Sequence, residues 1–212
     1  MIRFTKELDP FFDLLDPKKC IYYGPGQSFD LIEKKKGGEA KITVKSTAFP
    51  CFYVPNADDF CRFLLLNEDA VTGRERVRRC ADHMVFVYDP GTGRWSVHLF
   101  ELTKSVSQSV WEEKVLVQFT GALIRACAVA GVLQIHGFLH LYLHCGFRNS
   151  AASANFAEKR RRLGKAAPSD WQNDSVILYA PFHGKEFQQI LKNCPLQLDR
   201  DTGFAELESL EL

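Results

Sequence analysis

The segment from residue 80 to residue 118 constrains the fold of this chain more than any other part of the sequence. It contains two runs, at residues 80–88 and 95–103, that are rich in valine and aromatic residues. Between them, residues 89–93 read Asp-Pro-Gly-Thr-Gly, a composition typical of turns. The pattern predicts a β-hairpin.

A long helix is predicted to follow this hairpin. Ser107 is a typical N-cap residue, and Glu112 and Glu113 come soon after it, where the helix dipole favours carboxylates. Apolar side chains then recur at three- and four-residue steps until Gly131, a residue type common at helix ends. No other predicted helix in the chain is as long.

The remaining elements follow from the periodicity of apolar residues. Alternation or short apolar runs predict strands at residues 30–35, 39–46, 49–54, 135–147 and 175–181. Helical spacing predicts short helices at residues 57–67, at 159–162 within a loop from 148 to 174, and at 185–193, the last closed by Pro195.

These elements predict an α/β fold in which helices flank a mixed central sheet. We expect a single domain over residues 1–212 with three parts. They are an N-terminal β-hairpin extension with a short helix at 1–70, an α/β core at 74–194 and an acidic tail at 195–212. A chain of 212 residues can bury one good hydrophobic core.

Composition limits the ligands and the cellular compartment that we expect for this protein. The formal net charge is +1, so any phosphate binding must come from local basic clusters. Seven scattered cysteines without a Cys-x-x-Cys pair predict reduced, mostly buried thiols. The sequence begins without an apolar signal segment, and no stretch approaches about 18 uncharged apolar residues. We therefore expect a soluble, cytoplasmic protein that does not enter a membrane.

Acidic residues mark both strands of the predicted hairpin. Asp82 lies at the start of the first strand, and Glu101 lies near the end of the second, followed by Lys104. In this arrangement the chain resembles the PD-(D/E)xK nuclease superfamily, in which an Asp opens one core strand and Glu-x-Lys closes the next. Gln118 in the following helix extends the resemblance, which covers about residues 74–148.

The resemblance implies a restriction-endonuclease-like core and a Mg²⁺-dependent site, with Mn²⁺ as a substitute ion. Asp82 and Glu101 would hold the metal, and Lys104 would steady the attacking hydroxide. Gln118 would orient a ligand or the lysine. A hard divalent ion prefers carboxylate oxygens and can activate water beside a phosphate. The structural alternative is a strand-start Asp that caps a turn and a solvated strand end at Glu101.

One position departs from the family pattern. The family places its lysine two residues after the glutamate, on the same strand face, and here that position is Thr103. Lys104 lies three residues after Glu101, so a regular strand directs it to the opposite face unless a bulge intervenes. Two interpretations follow: an active nuclease with a migrated lysine, or a fold that has lost the chemistry.

Histidines offer a rival site. His136, His140 and His144 are spaced four apart, which on a helix would align them for one metal. On a strand, neighbours in this series are separated by about 13 Å and the outer two by about 26 Å, too far to share an ion. Because the sequence alternates, we favour a strand. Cys145 beside His144 lacks a companion carboxylate pattern for nucleophilic catalysis.

Two basic runs flank the predicted core and are candidates for contacting phosphates. Solvated charge is the alternative for each run by itself. Nucleic acid is therefore the expected ligand, with a protein partner as the alternative and a homodimer as an allowed assembly. The candidate phosphate-binding residues are Arg74, Arg76, Arg78, Arg79, Lys159, Arg160, Arg161 and Arg162.

The sequence thus favours one function and keeps a second open. The first is a Mg²⁺-dependent nuclease that cleaves nucleic acid phosphodiesters. The second is a catalytically inactive nuclease-fold protein that binds protein or nucleic acid, as a mobile-element, defence or counter-defence accessory would. Thr103 favours the second.

Overall fold

The computed structural model describes residues 19–35, 38–55, 57, 79–150, 173–182 and 185–212. Within these residues there is one helix, α1, at Gln108–Val132. The strands are β1 Ile21–Tyr23, β2 Phe29–Lys35, β3 Gly38–Ser46, β4 Cys51–Pro55, β5 His83–Asp89, β6 Arg94–Val106, β7 Phe138–Ser150, β8 Ser175–Phe182, β9 Lys185–Gln197 and β10 Phe204–Ser209.

The strands form two mixed sheets. The larger has seven strands in the order β1-β4-β5-β6-β7-β9-β8. Its first four strands pair antiparallel, β6, β7 and β9 run parallel, and β8 pairs antiparallel with β9. Helix α1 connects β6 to β7, as a parallel pair requires a crossover. The smaller sheet, β10-β3-β2, joins a hairpin to a parallel third strand.

The seven-stranded sheet is the middle of three layers. Alternation along β6 directs Val97 and Leu99 into a core shared with α1, whereas Phe100 and Leu102 enter a second core. The second core contains buried residues of β2 and β3, so it lies between the two sheets. Each face of β6 is therefore covered, which explains why the strand is apolar on both sides.

Helix α1 starts as its sequence predicts, and it ends at Val132, one residue after the predicted end at Gly131. The Ser107 hydroxyl accepts a hydrogen bond from the Val110 amide at the N-terminus. One π-helical turn, Trp111–Val115, lies near the start of the helix. By length and composition α1 could also cross a membrane, but most of it is buried inside this protein, as in the core helix of a soluble domain.

The structure confirms several predicted elements and bounds them more closely. Both hairpins are present, as β2–β3 and β5–β6. The strands predicted at residues 49–54, 135–147 and 175–181 are present as β4, β7 and β8. The expected mixed sheet is also present, as part of a mixed α/β structure. The predicted short helices at 57–67 and 159–162 lie outside the described residues, apart from residue 57.

The predicted helix at 185–193 is wrong, because those residues belong to strand β9. The run Glu-Phe-Gln-Gln-Ile-Leu-Lys suits a helix locally, but it pairs with β8 along residues 185–192, and the strand continues by pairing with β7 along residues 192–197. Ile190 is exposed and Leu191 is buried, as alternation along a strand requires. Pro195 does not end this element, which continues to Gln197.

Two further expectations about the architecture are refined. The predicted acidic tail at 195–212 contains β10, which pairs in parallel with β3. The expectation of helices that flank the sheet has only loose support: in the described part of the chain, one helix covers one face and the three-stranded sheet covers the other. Long-range pairing of β10 with β3 has no local sequence signal.

Candidate active site

Asp82 and Glu101 adjoin the last residue pair of the β5–β6 hairpin. The antiparallel register ends where His83 pairs with Phe100; Asp82 precedes His83 and Glu101 follows Phe100. Asp82 lies in a bend outside the strand, and its side chain accepts a hydrogen bond from the backbone directly after Glu101. The two carboxylates are therefore neighbours in the fold, and neighbouring like charges repel each other unless a cation lies nearby.

Glu101 is fully buried and held from the helix side. Its side chain is 0% exposed. Oε2 accepts a 2.7 Å hydrogen bond from Nε2 of Gln118, and Oε1 lies 3.6 Å from Nζ of Lys114, whose side chain is 42% exposed. The half-exposed ammonium of Lys114 is therefore a cation that balances this carboxylate.

Asp82 is tied to the same short stretch of β6. Its Oδ2 accepts a 2.7 Å hydrogen bond from the Leu102 amide, directly after Glu101. Gln118 on the helix holds the two residues before Asp82 in place. Its backbone carbonyl accepts a hydrogen bond from the Ala81 amide at 3.1 Å, and its Nε2 donates to the Cys80 carbonyl at 3.3 Å. One helical residue thus positions both acids.

Gly121 lets the segment before Asp82 approach α1 closely. A Cβ at this position would lie 1.8 Å from the carbonyl oxygen of Arg79, a backbone atom that cannot move aside cheaply. Gly121 lies three residues after Gln118, on the same side of the helix. Glycine is therefore required at this contact, and the contact fixes the backbone that leads into Asp82.

The lysine predicted for the site lies elsewhere. The ladder between β6 and β7 is regular from Val97 to Val106, so Lys104 projects to the face opposite Glu101, and it is exposed. Thr103 shares the face of Glu101 and is buried. Thus Lys104 does not reach the acids from this strand, and the predicted role for it finds no support in the geometry.

Lys114 was missed by reasoning from the sequence. It lies in the π-helical turn Trp111–Val115, a distortion that is frequent at functional sites. A signal was available, because Lys114 precedes Gln118 by four residues and therefore shares its helix face. Any helix residue that faces Glu101 together with Gln118 would have been a candidate for the missing cation.

Cys145 on the neighbouring strand β7 lies beside Glu101. It is the partner of Glu101 in the parallel ladder between β6 and β7. Burial raises the pKa of its thiol far above the usual range, and the carboxylates of Glu101 and Asp82 raise it further. Cys145 is therefore a protonated core residue at neutral pH, which argues against the nucleophile considered from the sequence.

The predicted histidine series lies on strand β7 and in the turn before it. His136 is exposed, His140 is half-buried and His144 is buried, and the strand spacing separates them as expected. Among the described residues, no group of three or more His, Cys, Asp or Glu side chains could hold a metal ion.

The two basic runs are almost entirely outside the described part of the chain. Arg74, Arg76 and Arg78 lie there, as do all four residues from Lys159 to Arg162. Only Arg79 is described, and it is half-buried beside Gly121. Phosphate binding by these runs stays a prediction.

Oxygen atoms of the kind that a hard divalent ion prefers lie around Glu101. Beside the two carboxylates, Oε1 of Gln118 is buried and has no hydrogen-bond partner among the described residues. An amide oxygen only accepts, so a hydrogen-bond donor or a cation would satisfy it. Mg²⁺ commonly uses one or two carboxylates and completes its coordination with water and phosphate oxygens.

Comparison with protein-family models, curated proteins and solved structures finds no match to this chain. The chemistry open to the site therefore follows from its own residues. These are two neighbouring carboxylates, one half-exposed ammonium and an amide oxygen that still lacks a partner.

Proposed function

We propose that this protein is a nuclease that uses Mg²⁺, or Mn²⁺ in its place, to cleave nucleic acid phosphodiesters. One observation carries the proposal: Asp82 and Glu101 adjoin the last residue pair of the hairpin that precedes α1, and the Asp82 carboxylate accepts a hydrogen bond from the Leu102 amide directly after Glu101. A pair of neighbouring acids in a mostly apolar setting is costly unless it binds a cation.

Each residue of the site has a separate role in this proposal. Asp82 and Glu101 would hold the divalent ion, and Gln118 keeps Glu101 oriented through its 2.7 Å hydrogen bond. Lys114 replaces Lys104 as the cationic group and can stabilise negative charge on an attacking or leaving oxygen. When bound, the metal lowers the pKa of a coordinated water and polarises the phosphate.

The arrangement of the elements supports a restriction-endonuclease-like core. The acids lie on the hairpin β5–β6, Gln118 and Lys114 lie on α1, and β7 returns beside β6. The nuclease superfamily that the sequence resembles has the same order of strand, strand, helix and strand, with its acids on the first two strands. The position of Lys114 on the helix supplies the lysine that the motif lacks at Thr103.

A catalytically inactive relative that binds protein or nucleic acid is the second candidate. The observation that favours it is the burial of Glu101, whose side chain is 0% exposed. The half-exposed side chain of Lys114 lies between Oε1 of Glu101 and solvent. In an active enzyme, Lys114 must move aside before an ion with its waters reaches Glu101.

An assay on defined substrates separates the two candidates. Purified protein is incubated with single- and double-stranded DNA and RNA in Mg²⁺, Mn²⁺ or EDTA, with Glu101→Ala alongside. The proposal predicts cleavage that needs the metal and disappears in the variant. Cleavage that survives in the variant comes from a contaminant and counts against the proposal. Absence of cleavage on every substrate favours the binding protein.

A further inference from the structure

His98 and His144 form a buried pair on the sheet face turned away from Asp82 and Glu101. Nδ1 of His98 and Nε2 of His144 are 2.9 Å apart, and the two residues are 1% and 5% exposed. His98 stacks on Tyr142 with ring centroids 4.4 Å apart, and His144 stacks on Phe100 at 4.3 Å. The stacking fixes both rings between β6 and β7.

Residues 210–212, which follow β10, lie over this pair. Nε2 of His98 is 2.7 Å from the carbonyl oxygen of Glu211. The Tyr142 hydroxyl donates a 2.8 Å hydrogen bond to the carbonyl oxygen of Leu212, and Leu210 is buried in the core between the sheets. The 210–212 segment is thus attached through two backbone carbonyls and one apolar side chain.

The hydrogen bonds assign the protons on both rings. A carbonyl only accepts, so Nε2 of His98 carries a proton, and the neutral ring has a bare Nδ1. Nε2 of His144 must therefore donate to His98, which leaves Nδ1 of His144 bare, buried and without a hydrogen-bond partner among the described residues. Every N–H group of the two rings has an acceptor only when both rings are neutral.

We propose that His98 and His144 are a proton-sensitive latch that holds the 210–212 segment at neutral pH and releases it in acid. A proton added to His98 sets two N–H groups against each other across the pair, unless His144 shifts its own proton to Nδ1, where it becomes a buried N–H without an acceptor among the described residues. A proton added to His144 creates a buried N–H without an acceptor. Either event costs free energy that release of the segment relieves by admitting water.

The surrounding groups do not compensate for this charge. Lys192 on β9 is positive, and its Nζ lies 3.4 Å from the Tyr142 hydroxyl and 3.7 Å from Oε2 of Glu211. The Glu211 carboxylate is thereby engaged by Lys192. Cys194 lies opposite His144 on β9, and His83 lies opposite Phe100 on β5, and neither carries negative charge at acid pH.

Burial lowers the pKa of His98 from 6.5 to about 4, and burial lowers that of His144 well below its usual value. A released segment exposes His98 to water and returns its pKa toward 6.5. Between these two values the released form binds a proton that the latched form does not. At pH 5 the release equilibrium of the segment is therefore expected to rise about 30-fold over its value at neutral pH.

Hydrogen–deuterium exchange tests the latch. A peptide covering residues 204–212 is followed by mass spectrometry at pH 7.5 and pH 5.0, with the intrinsic pH dependence of exchange removed. Within the wild-type peptide, the amides of residues 210–212 should lose protection by up to about 30-fold at pH 5, while β10, β5 and β6 remain protected. Protection of the peptide that is equal at the two pH values would overturn the proposal, as would equal loss across the whole protein.

Two variants sharpen the experiment. His98→Gln keeps an N–H donor but does not titrate, so the pH response of its 204–212 peptide should fall to the smaller part that His144 contributes. His136→Gln removes an exposed histidine and should behave as the wild type does. A pH response in His98→Gln equal to that of the wild type would refute the latch.

Histidine ¹⁵N spectra of the unaltered protein give a check that depends on no variant. At pH 7 both rings are expected to be neutral and protonated on Nε2. A positively charged ring at either position at pH 7 would contradict the network and the proposal with it.

Discussion

Nε2 of Gln118 on helix α1 donates a 2.7 Å hydrogen bond to Oε2 of Glu101 on strand β6. The same nitrogen donates to the Cys80 carbonyl, two residues before Asp82. The side-chain amide of Gln118 therefore connects helix α1 both to strand β6 and to the backbone just before Asp82. Lys114, one turn earlier in the helix, adds the positive charge.

Substitution at Gly121 should disturb this connection. Gly121→Ala inserts a Cβ 1.8 Å from the Arg79 carbonyl, and we expect the free energy of unfolding to fall by about 1–3 kcal/mol, as for other overpacked contacts. Gly131→Ala is the matched control, because no atom lies within 4 Å of its added Cβ in the same helix. Urea denaturation of both variants measures the difference.

The control should be neutral or more stable than the wild type by up to about 1 kcal/mol, because alanine favours a helix over glycine. Equal stability of the two variants would mean that α1 does not contact the 79–82 segment as closely as described.

The lysine that serves the acids can be identified by paired substitutions. Lys114→Met should lower the rate of metal-dependent cleavage by about 100-fold or more, because it removes a charge aimed at the reacting oxygens. Lys104→Met, on the opposite strand face, should change that rate by less than about threefold. Single-turnover cleavage assays at saturating metal compare the two. The reverse order of effects would restore Lys104 to the site.

Glu101→Gln should separate stability from function. The amide removes one of two neighbouring negative charges and keeps an oxygen for Gln118, so in EDTA the free energy of unfolding is expected to rise by about 0.5–1 kcal/mol. Cleavage should be lost in the same protein. Thermal and urea unfolding in EDTA provide the measurement, and a strongly destabilised variant would show that the charge of Glu101 has a structural role with Lys114.

Acid should destabilise the fold through His98. Its pKa is about 4 when folded and 6.5 when exposed, so the unfolded chain binds the proton first as pH falls. The stability that depends on the neutral ring is complete above about pH 6.5 and is lost progressively between pH 6.5 and pH 4. The full loss is on the order of 3 kcal/mol.

Urea denaturation at pH 7.5, 6.0 and 5.0 tests this dependence in wild type and His98→Gln. The difference between the two proteins should shrink as pH falls. A constant difference over this range would show that His98 does not remain neutral in the folded protein.

Local sequence patterns predicted the hairpin and the long helix, and the resemblance to the nuclease superfamily implied the candidate residues Asp82, Glu101 and Gln118. Each of these lies within one contiguous stretch, where turn residues and periodicity determine the geometry. The pairing of His98 with His144 joins strands that are 46 positions apart in the chain, and it depends on the parallel register between β6 and β7. No periodicity within either strand reports that register.

Strand β9 shows where local preference misleads. Its residues favour a helix when they are read alone, and the strand conformation is stabilised only by β7 and β8 on either side. The proximity of Lys114 to Glu101 was not predicted for a related reason. Glu101 and Lys104 are close in sequence but lie on opposite strand faces, whereas Lys114 returns to Glu101 through the fold.

Binding of Mn²⁺ tests most directly whether Asp82 and Glu101 share a divalent ion. Calorimetric or paramagnetic titration of the purified protein should detect at least one Mn²⁺ per chain, displaced by Mg²⁺, and binding should be lost in both Asp82→Asn and Glu101→Gln. If the wild type binds no Mn²⁺, or if binding survives both substitutions, the two acids do not form a metal site.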